Sequence, residues 1–496
     1  MKTGSNLKQV EKELIADVYI NRNKTIVQAL FSSPIFHGHQ NLLIGEQACS
    51  SLAVTSRIFG FCGGSHQQAA VHALEHIAGA TVPPNAHIVR SIIQAAEILQ
   101  NSIKWFYTSF APDLADNSFK NQPLYKTVCE RFQAFKGTSF RKGIIGGTYP
   151  ISLFSLVAGH WPHTEYIVPG GLATPLTKAK ITKTKEVIQR FRFEWLEKVL
   201  LNGNLDQYLE IGTWEALCAW FDNKEKHRNS DLGLFFRTCI EYGLDEIGGG
   251  KNSFLSFGTF WKKEYATAVN PLNFAKATEF PSGIYNRKQY SSLPTEAFIE
   301  HLRNGNHLKS EQIFEQMKPY EMGSLARMLM QDKIRKSKNA PKNKGLIRDI
   351  FSKKGSSIFV RAFARLHEIM LLCNFIEQKL EEIELKGTFL SPFNLSDGVG
   401  VGMTEAPRGS LAHFVELRDH KIHKYQILAP TVYNINSGVA TKKMAPLGHA
   451  MKGITIKNIE HPIEVGLIAR SFDTCLRCTV NLKKSSTKET IMQVTV

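Results

Sequence analysis

The sequence has few cysteines and no long uninterrupted apolar run. Its eight cysteines are scattered over 496 residues, which argues against a disulfide framework and favours a reducing compartment. The polar and charged stretch 1–13 lacks the apolar centre of a signal peptide. The most apolar stretch, 143–159, is interrupted by Pro150 and several hydroxyl side chains. It therefore predicts a buried element rather than a membrane span.

Acidic residues are also scarce relative to basic ones, since the net charge is +17 and the pI is near 9.4. Much of the excess lies in the lysine-rich segments 178–185 and 333–344. These segments lack the interleaved aromatic residues of a single-strand nucleic-acid platform. We therefore interpret the charge as solvated surface and predict no nucleic-acid partner. With 43% hydrophobic and 21% charged residues, the composition is that of a folded protein.

The first motif that indicates a function lies at 57–66, with the sequence R-I-F-G-F-C-G-G-S-H. A glycine pair after Cys62 allows a tight turn, and Ser65 with Gln68 predicts a capping box at the start of a helix that ends near Gly79. Cys62 would then lie just before a helix N-terminus. The partial positive charge there favours a thiolate over a thiol.

A second cysteine motif, R-S-F-D-T-C-L-R-C, lies at 470–478. Cys475 and Cys478 are three residues apart, so on a helical turn their sulfur atoms would point the same way. A C-x-x-C motif alone also fits a thioredoxin-like pair, although no βαβ pattern is nearby. A zinc site formed with Cys62 and His66 is a further alternative.

Together the two motifs resemble those of the large subunit of nickel–iron hydrogenases, R-x-C-G-x-C-x-x-x-H and D-P-C-x-x-C-x-x-H. Phe59 stands where the first metal cysteine belongs. The resemblance implies that Cys62 and Cys478 bridge nickel and iron and that Cys475 binds nickel alone. The iron would also carry cyanide and carbon monoxide, and His66 would lie behind the metal ligands. Phe59 would leave one nickel position without sulfur.

A further landmark is the segment 400–413, G-V-G-M-T-E-A-P-R-G-S-L-A-H, which resembles the family's E-A-P-R-G-x-L-x-H. Pro407 and the following glycine can hold Arg408 rigidly between them. The resemblance places Pro407 and Arg408 at the metals and implies that Arg408 assists the splitting of dihydrogen. The alternative is a structural arginine that pairs with Glu405.

Other resemblances concern proton transfer and the surroundings of nickel. Glu11, in Q-V-E-K-E-L, matches the glutamate that passes protons away from the metals, with an exposed strand-end glutamate as the alternative. Asp113 aligns with an aspartate near nickel, and its alternative is a loop residue after a helix. The proton from dihydrogen would pass to Cys475 or Arg408 and then to Glu11.

Two further replacements concern magnesium and maturation. Gln40 replaces a glutamate and Asn481 a histidine that hold a structural magnesium ion in the family. A neutral amide is a poorer ligand for magnesium, so we expect this site to be weakened. Family precursors also lose a C-terminal extension after that histidine. Residues 482–496 correspond to such an extension, so the resemblance implies maturation proteins and a C-terminal protease as partners.

The resemblance implies a mainly α fold with smaller β parts (α+β). We expect an N-terminal hairpin part at about 8–45, a helical core at about 46–390, a β-containing and metal-ligand part at about 391–481, and the extension 482–496. The patterning predicts hairpins with turns at Asn21–Lys24 and near Asp419–Lys421.

The implied function is that of a hydrogenase-type oxidoreductase subunit, which oxidises dihydrogen or reduces protons. An iron–sulfur small subunit would complete a heterodimer, because this chain lacks the cysteines for a series of clusters. The location would be cytoplasmic, or membrane-associated through partner subunits. The alternative is a non-catalytic structural or sensory relative that has lost full metal ligation, like the branch of the family in respiratory NADH dehydrogenase.

Overall fold

The computed structural model describes most of the chain. The described residues are 13–32, 39–257, 259–261, 278–280, 283–286, 289–291, 320–331, 345–435, 444–475 and 477–495. Glu11 and the whole lysine-rich segment 333–344 lie outside these residues. Among the described residues, no helix combines the length and hydropathy that crossing a membrane requires.

The fold is mainly helical with smaller sheets, as predicted. The α-helices are α1 (Ser50–Ile58), α2 (Gly63–Ala78), α3 (Pro84–Trp105), α4 (Tyr125–Phe132), α5 (Thr138–Ala158), α6 (Lys178–Arg190), α7 (Leu205–Leu209), α8 (Trp214–Asp222), α9 (Glu225–Arg228), α10 (Asp231–Glu241), α11 (Ser324–Gln331), α12 (Leu346–Lys354), α13 (Ile358–Glu381), α14 (Pro430–Ile435), α15 (Pro446–Met451) and α16 (Ile463–Ser471). The strands are β1 (Glu13–Ile20), β2 (Ile26–Ser32), β3 (Ile167–Val168), β4 (Gly171–Leu172), β5 (Ser253–Ser256), β6 (Thr259–Trp261), β7 (Thr278–Phe280), β8 (Gly283–Asn286), β9 (Gln289–Ser291), β10 (Gly398–Ala406), β11 (Gly409–Arg418), β12 (Lys421–Leu428), β13 (Arg477–Lys484) and β14 (Thr490–Thr495).

Helix α3 forms the centre of the core and packs against α5 and α13. It continues into a π-helical turn, Phe106–Phe110, so one helical element covers 84–110. Pro83 occupies the N-cap position. Asn85 lies inside the helix, and its side chain donates a hydrogen bond to the Glu384 carbonyl over 2.8 Å.

The N-terminal and C-terminal strands share one sheet, with the order β14-β13-β1-β2. The predicted first hairpin is present as β1 and β2, which pair antiparallel. Strand β13 runs parallel to β1 and places Cys478 opposite Leu14. The expectation that Cys475 and Cys478 share a helical turn is therefore wrong. The predicted C-terminal extension forms β14 and the end of β13.

A three-stranded sheet, β10-β11-β12, packs on helix α2. Gly400 and Gly402 make this approach possible, because a Cβ atom at either position would overlap the backbone carbonyl of Ala73 or Ala69 in α2. The predicted turn near 419–421 joins β11 to β12. The connection between β10 and β11 contains Pro407 and Arg408, so this sheet carries Arg408 to the same region as the start of α2.

Candidate metal centre

Cys62 occupies the N-cap position of α2, in the short connection that follows α1. The Cys62 amide donates a hydrogen bond to the Phe59 carbonyl over 3.3 Å, which closes this turn. The predicted helix end is confirmed, because Gly79 adopts a left-handed conformation with φ of 60°. The predicted capping box is wrong. The Ser65 hydroxyl instead donates to Glu97, and the Gln68 side chain donates to the Arg90 carbonyl over 3.0 Å.

Cys62 and Cys475 interact electrostatically although they are far apart in sequence. Burial raises the pKa of the Cys62 thiol well above its usual value, and the charges of Cys475 and Glu97 raise it further. The expected preference for a thiolate is therefore wrong for the metal-free chain. Cys62 is 8% exposed, and desolvation of a charge there outweighs the dipole of α2.

Cys475 lies in a bend after α16, where its amide donates to the Thr431 hydroxyl over 3.3 Å. Asp473, two residues before it, has a φ of 52° and lies in the turn that ends α16. The backbone of Cys478 is in β13, but its side chain lies outside the described residues. The convergence of Cys478 with the other two cysteines therefore stays a prediction.

Arg408 interacts electrostatically with Cys62 and Cys475 and is bound by Asp473. Its Nε donates to the Asp473 carbonyl over 3.0 Å, and a terminal nitrogen lies 3.2 Å from the Asp473 carboxylate. The alternative of an Arg408–Glu405 pair is wrong. Burial lowers the pKa of Arg408, but the charges of Asp473, Cys475 and Cys62 together raise it above its usual value. Within the described part of the chain, Arg408 Nη1 is buried without a hydrogen-bond partner.

Arg327 on α11 supports the backbone that carries Arg408, and the sequence motifs did not indicate it. Its guanidinium donates to the carbonyls of Ala406 and Pro407 over 3.0 and 3.1 Å. It also forms buried ion pairs with Glu368 and Glu405, at 2.6 and 3.0 Å. The Pro407 carbonyl is thus tied to this charged cluster, and a role of Pro407 at the metals stays a prediction.

These residues meet in one region of a recognisable fold, and comparison with known proteins identifies the family. A sequence profile described as nickel-dependent hydrogenase matches residues 37–123 and 150–481. The chain belongs to the nickel-dependent hydrogenase family.

Relatives of this family align over nearly the whole chain. The periplasmic [NiFeSe] hydrogenase large subunit of Desulfomicrobium baculatum is 24% identical, and the alignment covers 97% of this chain and 95% of the relative. The uptake hydrogenase large subunit of Rhodobacter capsulatus is 22% identical, with coverage of 96% and 94%. Large-subunit sequences therefore match this chain from end to end.

Solved structures share the same fold. The reduced Ni-Fe-Se hydrogenase from D. vulgaris Hildenborough superposes with a TM-score of 0.70 at 21% identity, covering 94% of this chain and 99% of that one. The reduced, active Ni-Fe-Se hydrogenase from Desulfomicrobium baculatum gives 0.71 at 21% identity, with coverage of 92% and 95%. This similarity identifies the hydrogenase large-subunit fold.

Phe59 departs from the hydrogenase metal motif, and its ring stacks on His66. The two ring centroids are 3.8 Å apart, and the planes are 4° from parallel. A phenyl ring supplies no donor atom for a metal. The predicted donor set of Cys62, Cys475 and Cys478 would therefore offer a thiophilic metal three sulfur ligands rather than four. Within the described residues no group of three histidine, cysteine or acidic side chains forms a metal site, and the Cys478 side chain is not among them.

Glu97 on α3 is a second buried residue that the sequence motifs did not indicate. It accepts hydrogen bonds from the amides of Gly64 and Ser65 over 2.8 and 2.9 Å. A Cβ atom on Gly64 would lie 3.0 Å from this carboxylate, so a glycine permits the approach. Burial raises the pKa of Glu97 to about 7, although these hydrogen bonds oppose the shift. Glu97 can therefore hold or release a proton beside α2.

Asp113 is linked to the C-terminal motif through Arg470, whose Nε lies 3.0 Å from its carboxylate. Burial raises the pKa of Asp113 to about 6, and the positive charge of Arg470 opposes this. The Trp105 indole also donates to the Arg470 carbonyl over 2.9 Å. Asp113 therefore fixes the end of α16, and a role near nickel stays a prediction.

The magnesium motif is replaced at Asn481 by a side-chain hydrogen-bond network. The Asn481 amide donates to the Asp17 carboxylate over 3.0 Å and accepts from Gln493 over 3.0 Å. Lys483 also lies 2.7 Å from Asp17. The Gln40 side chain is outside the described residues. The Asn481 amide is thus bound within the sheet, and the weakened magnesium site stays a prediction.

Proposed function

We propose that this chain is the redox subunit of a hydrogenase and binds a nickel–iron or altered iron centre through Cys62, Cys475 and Cys478. The electrostatic interaction of Cys62 with Cys475 and Arg408 carries the proposal. The fixed guanidinium charge of Arg408 favours thiolates, and the raised pKa of the Cys62 thiol means that its thiolate would form as a metal binds. When bound, the centre would polarise dihydrogen and take up its electron pair.

Arg408 would act as a fixed positive charge at the site of bond cleavage. Two of its nitrogens are held by Asp473, and its side chain is only 12% exposed. A preorganised charge in a water-poor site stabilises developing negative charge without reorganisation. Cys475, which is partly exposed, would accept the proton as the H–H bond breaks, because Arg408 is already protonated and its raised pKa keeps it so. Glu11, which lies outside the described residues, would relay that proton outward.

The partner would be an iron–sulfur small subunit, which accepts the electrons and completes a heterodimer. The relatives carry the names of large subunits, which supports a divided enzyme. Maturation proteins would insert the metals and their cyanide and carbon monoxide ligands, and a C-terminal protease would be a further partner. The complex would be cytoplasmic or associated with a membrane through other subunits.

A second candidate is a non-catalytic structural or sensory relative. The observation that favours it is the Phe59–His66 stack, which places an apolar ring where the family motif has a cysteine. Under this hypothesis Cys62 and Cys475 are remnants of the metal site. The two candidates differ in whether the mature complex holds metal.

The deciding experiment is metal analysis of the chain co-expressed with its small subunit and maturation proteins. The first candidate predicts iron, with or without nickel, together with infrared bands of bound cyanide and carbon monoxide. Cys475→Ser should reduce the metal content, whereas Cys218→Ser is a control at another partly exposed cysteine. A metal-free, well-folded heterodimer would support the second candidate.

A further inference from the structure

His66, His413 and Tyr425 form a buried chain of hydrogen bonds that begins one helical turn after Cys62. His66 Nδ1 lies 2.9 Å from His413 Nε2, and His413 Nδ1 lies 2.8 Å from the Tyr425 hydroxyl. The relative exposures are 0%, 0% and 5%. The His66 amide donates to the Cys62 carbonyl over 3.0 Å. This series of hydrogen bonds thus connects the start of α2 to strands β11 and β12.

The tautomers of the His66 and His413 rings are coupled by the hydrogen bond between them. A neutral imidazole carries one N–H, and its other nitrogen accepts. Burial lowers the pKa of His413 to about 3, so this ring is neutral at ordinary pH. A single proton lies between His66 Nδ1 and His413 Nε2. Whichever ring holds that proton, the tautomers of both rings are determined together.

The Tyr425 hydroxyl determines which atoms donate and which accept in these hydrogen bonds. Burial raises the pKa of Tyr425, which keeps its hydroxyl protonated. The nearby Ser51 hydroxyl donates to the Ala48 carbonyl over 2.7 Å, so its oxygen is a competing acceptor for the Tyr425 proton. An imidazole nitrogen is a stronger acceptor than a hydroxyl oxygen, so Tyr425 donates to His413 Nδ1. His413 then carries its proton on Nε2 and donates to His66.

We propose that Tyr425 and His413 are positioning residues that hold His66 as the Nε2–H tautomer. Nδ1 of His66 accepts from His413, so the one N–H of the ring is on the opposite nitrogen. Phe59 stacks on the face of the His66 ring and holds the plane of the imidazole. The tautomer follows from the hydrogen bonds alone. Its consequence, an N–H donor rather than a lone pair beside the thiolates, rests on the proposed function.

The chain offers a matched control in Tyr208 and His367. The Tyr208 hydroxyl lies 3.0 Å from His367 Nδ1, and both residues are buried. In the described part of the chain, His367 Nε2 has no hydrogen-bond partner. This pair therefore reproduces the Tyr425–His413 contact without a link to His66.

The test is 1H–15N correlation spectroscopy of the metal-free full-length chain with 15N-labelled histidine, at pH 8. The wild-type spectrum should show His66 and His413 as Nε2–H tautomers. Tyr425→Phe removes the donor to His413 Nδ1. It should raise the ratio of the Nδ1–H to the Nε2–H form of both rings about tenfold, the effect of one lost hydrogen bond. Tyr208→Phe should change the His367 signals and leave His66 unchanged.

A second pair of variants separates positioning from packing. His413→Gln supplies an amide N–H donor and should preserve the wild-type tautomer of His66, whereas His413→Leu should lose it. The proposal is overturned if wild-type His66 is the Nδ1–H tautomer, or if folded Tyr425→Phe leaves both tautomers unchanged. The wild-type spectrum decides even where a variant does not fold. Because the sample contains no metal, this outcome is independent of whether the chain is a hydrogenase subunit.

Discussion

Phe59 and His66 are stacked almost in parallel, with 3.8 Å between ring centroids. Phe59 follows α1, and His66 lies in the first turn of α2, so the contact joins the two helices that flank Cys62. Such aromatic pairs contribute about 0.5–1.5 kcal/mol beyond their buried area. The replaced cysteine position is therefore filled by a ring that makes a specific contact.

Phe59→Cys should raise the nickel occupancy of the co-expressed complex, because it restores a fourth sulfur donor. The measurement is nickel per protein by mass spectrometry of the purified heterodimer. Phe59→Leu is the control, since it removes the stack without adding sulfur. Full nickel occupancy in the wild type, unchanged in Phe59→Cys, would refute this interpretation of position 59.

Arg408→Lys should lower the rate of dihydrogen oxidation about 10²-fold while the metal content stays the same. Lysine keeps the charge, but it lacks the planar group that bonds both the carbonyl and the carboxylate of Asp473. Rates come from a dye-reduction assay, and the metals are measured on the same samples. Arg57→Lys, at a largely exposed side chain 3.8 Å from Glu165, is the control. Loss of metal in Arg408→Lys would indicate a structural role instead.

Glu97→Gln should make the free energy of unfolding of the metal-free chain less dependent on pH between about 4.5 and 7. Burial raises the pKa of Glu97 to about 7 in the folded chain, from an ordinary value of 4.5. The folded state thus binds more protons than the unfolded state in this window. The stabilisation that Glu97 contributes to the folded state is fully present below pH 4.5 and is lost as the pH rises to 7. The loss is on the order of 3 kcal/mol.

Urea unfolding at pH 5 and pH 8 measures this effect. The fall in the free energy of unfolding between the two values should be smaller in Glu97→Gln than in the wild type. Glu186→Gln, at an exposed position of α6, is the matched control. An equal fall in wild type and Glu97→Gln would show that Glu97 does not hold its proton in the folded chain.

Removal of residues 482–496 should destabilise the chain, because the segment completes the sheet that contains Cys478. Leu482 is fully buried, and β14 pairs with β13 through five register positions from Thr479 to Lys483. Loss of a buried leucine alone costs about 2–5 kcal/mol. Leu482→Ala is the milder variant, and Thr490→Ala, at an exposed position, is its control. A truncated chain as stable as the full one would refute this role for the segment.

Several features could be predicted from local sequence. The hairpins at Asn21–Lys24 and 419–421 followed from alternating patterns around polar turns, and the end of α2 followed from Gly79. Position-specific motifs then indicated the hydrogenase family and the fold. The capping box at Ser65 and the helical turn at Cys475 were wrong for one reason. Distant groups, Glu97 and strand β1, offered these residues better partners than their neighbours in sequence did.

The sequence by itself determined the family, the mainly helical fold and the loss of a sulfur donor at Phe59, because these depend on residue identity and order. Only the tertiary structure decided that Asp473 rather than Glu405 binds Arg408, and that Tyr425 reaches His66 through His413. It also decided that burial raises the pKa of the Cys62 thiol. The physical reason is that hydrogen-bond partners and desolvation depend on which distant segments pack together, and local sequence patterns do not record those contacts.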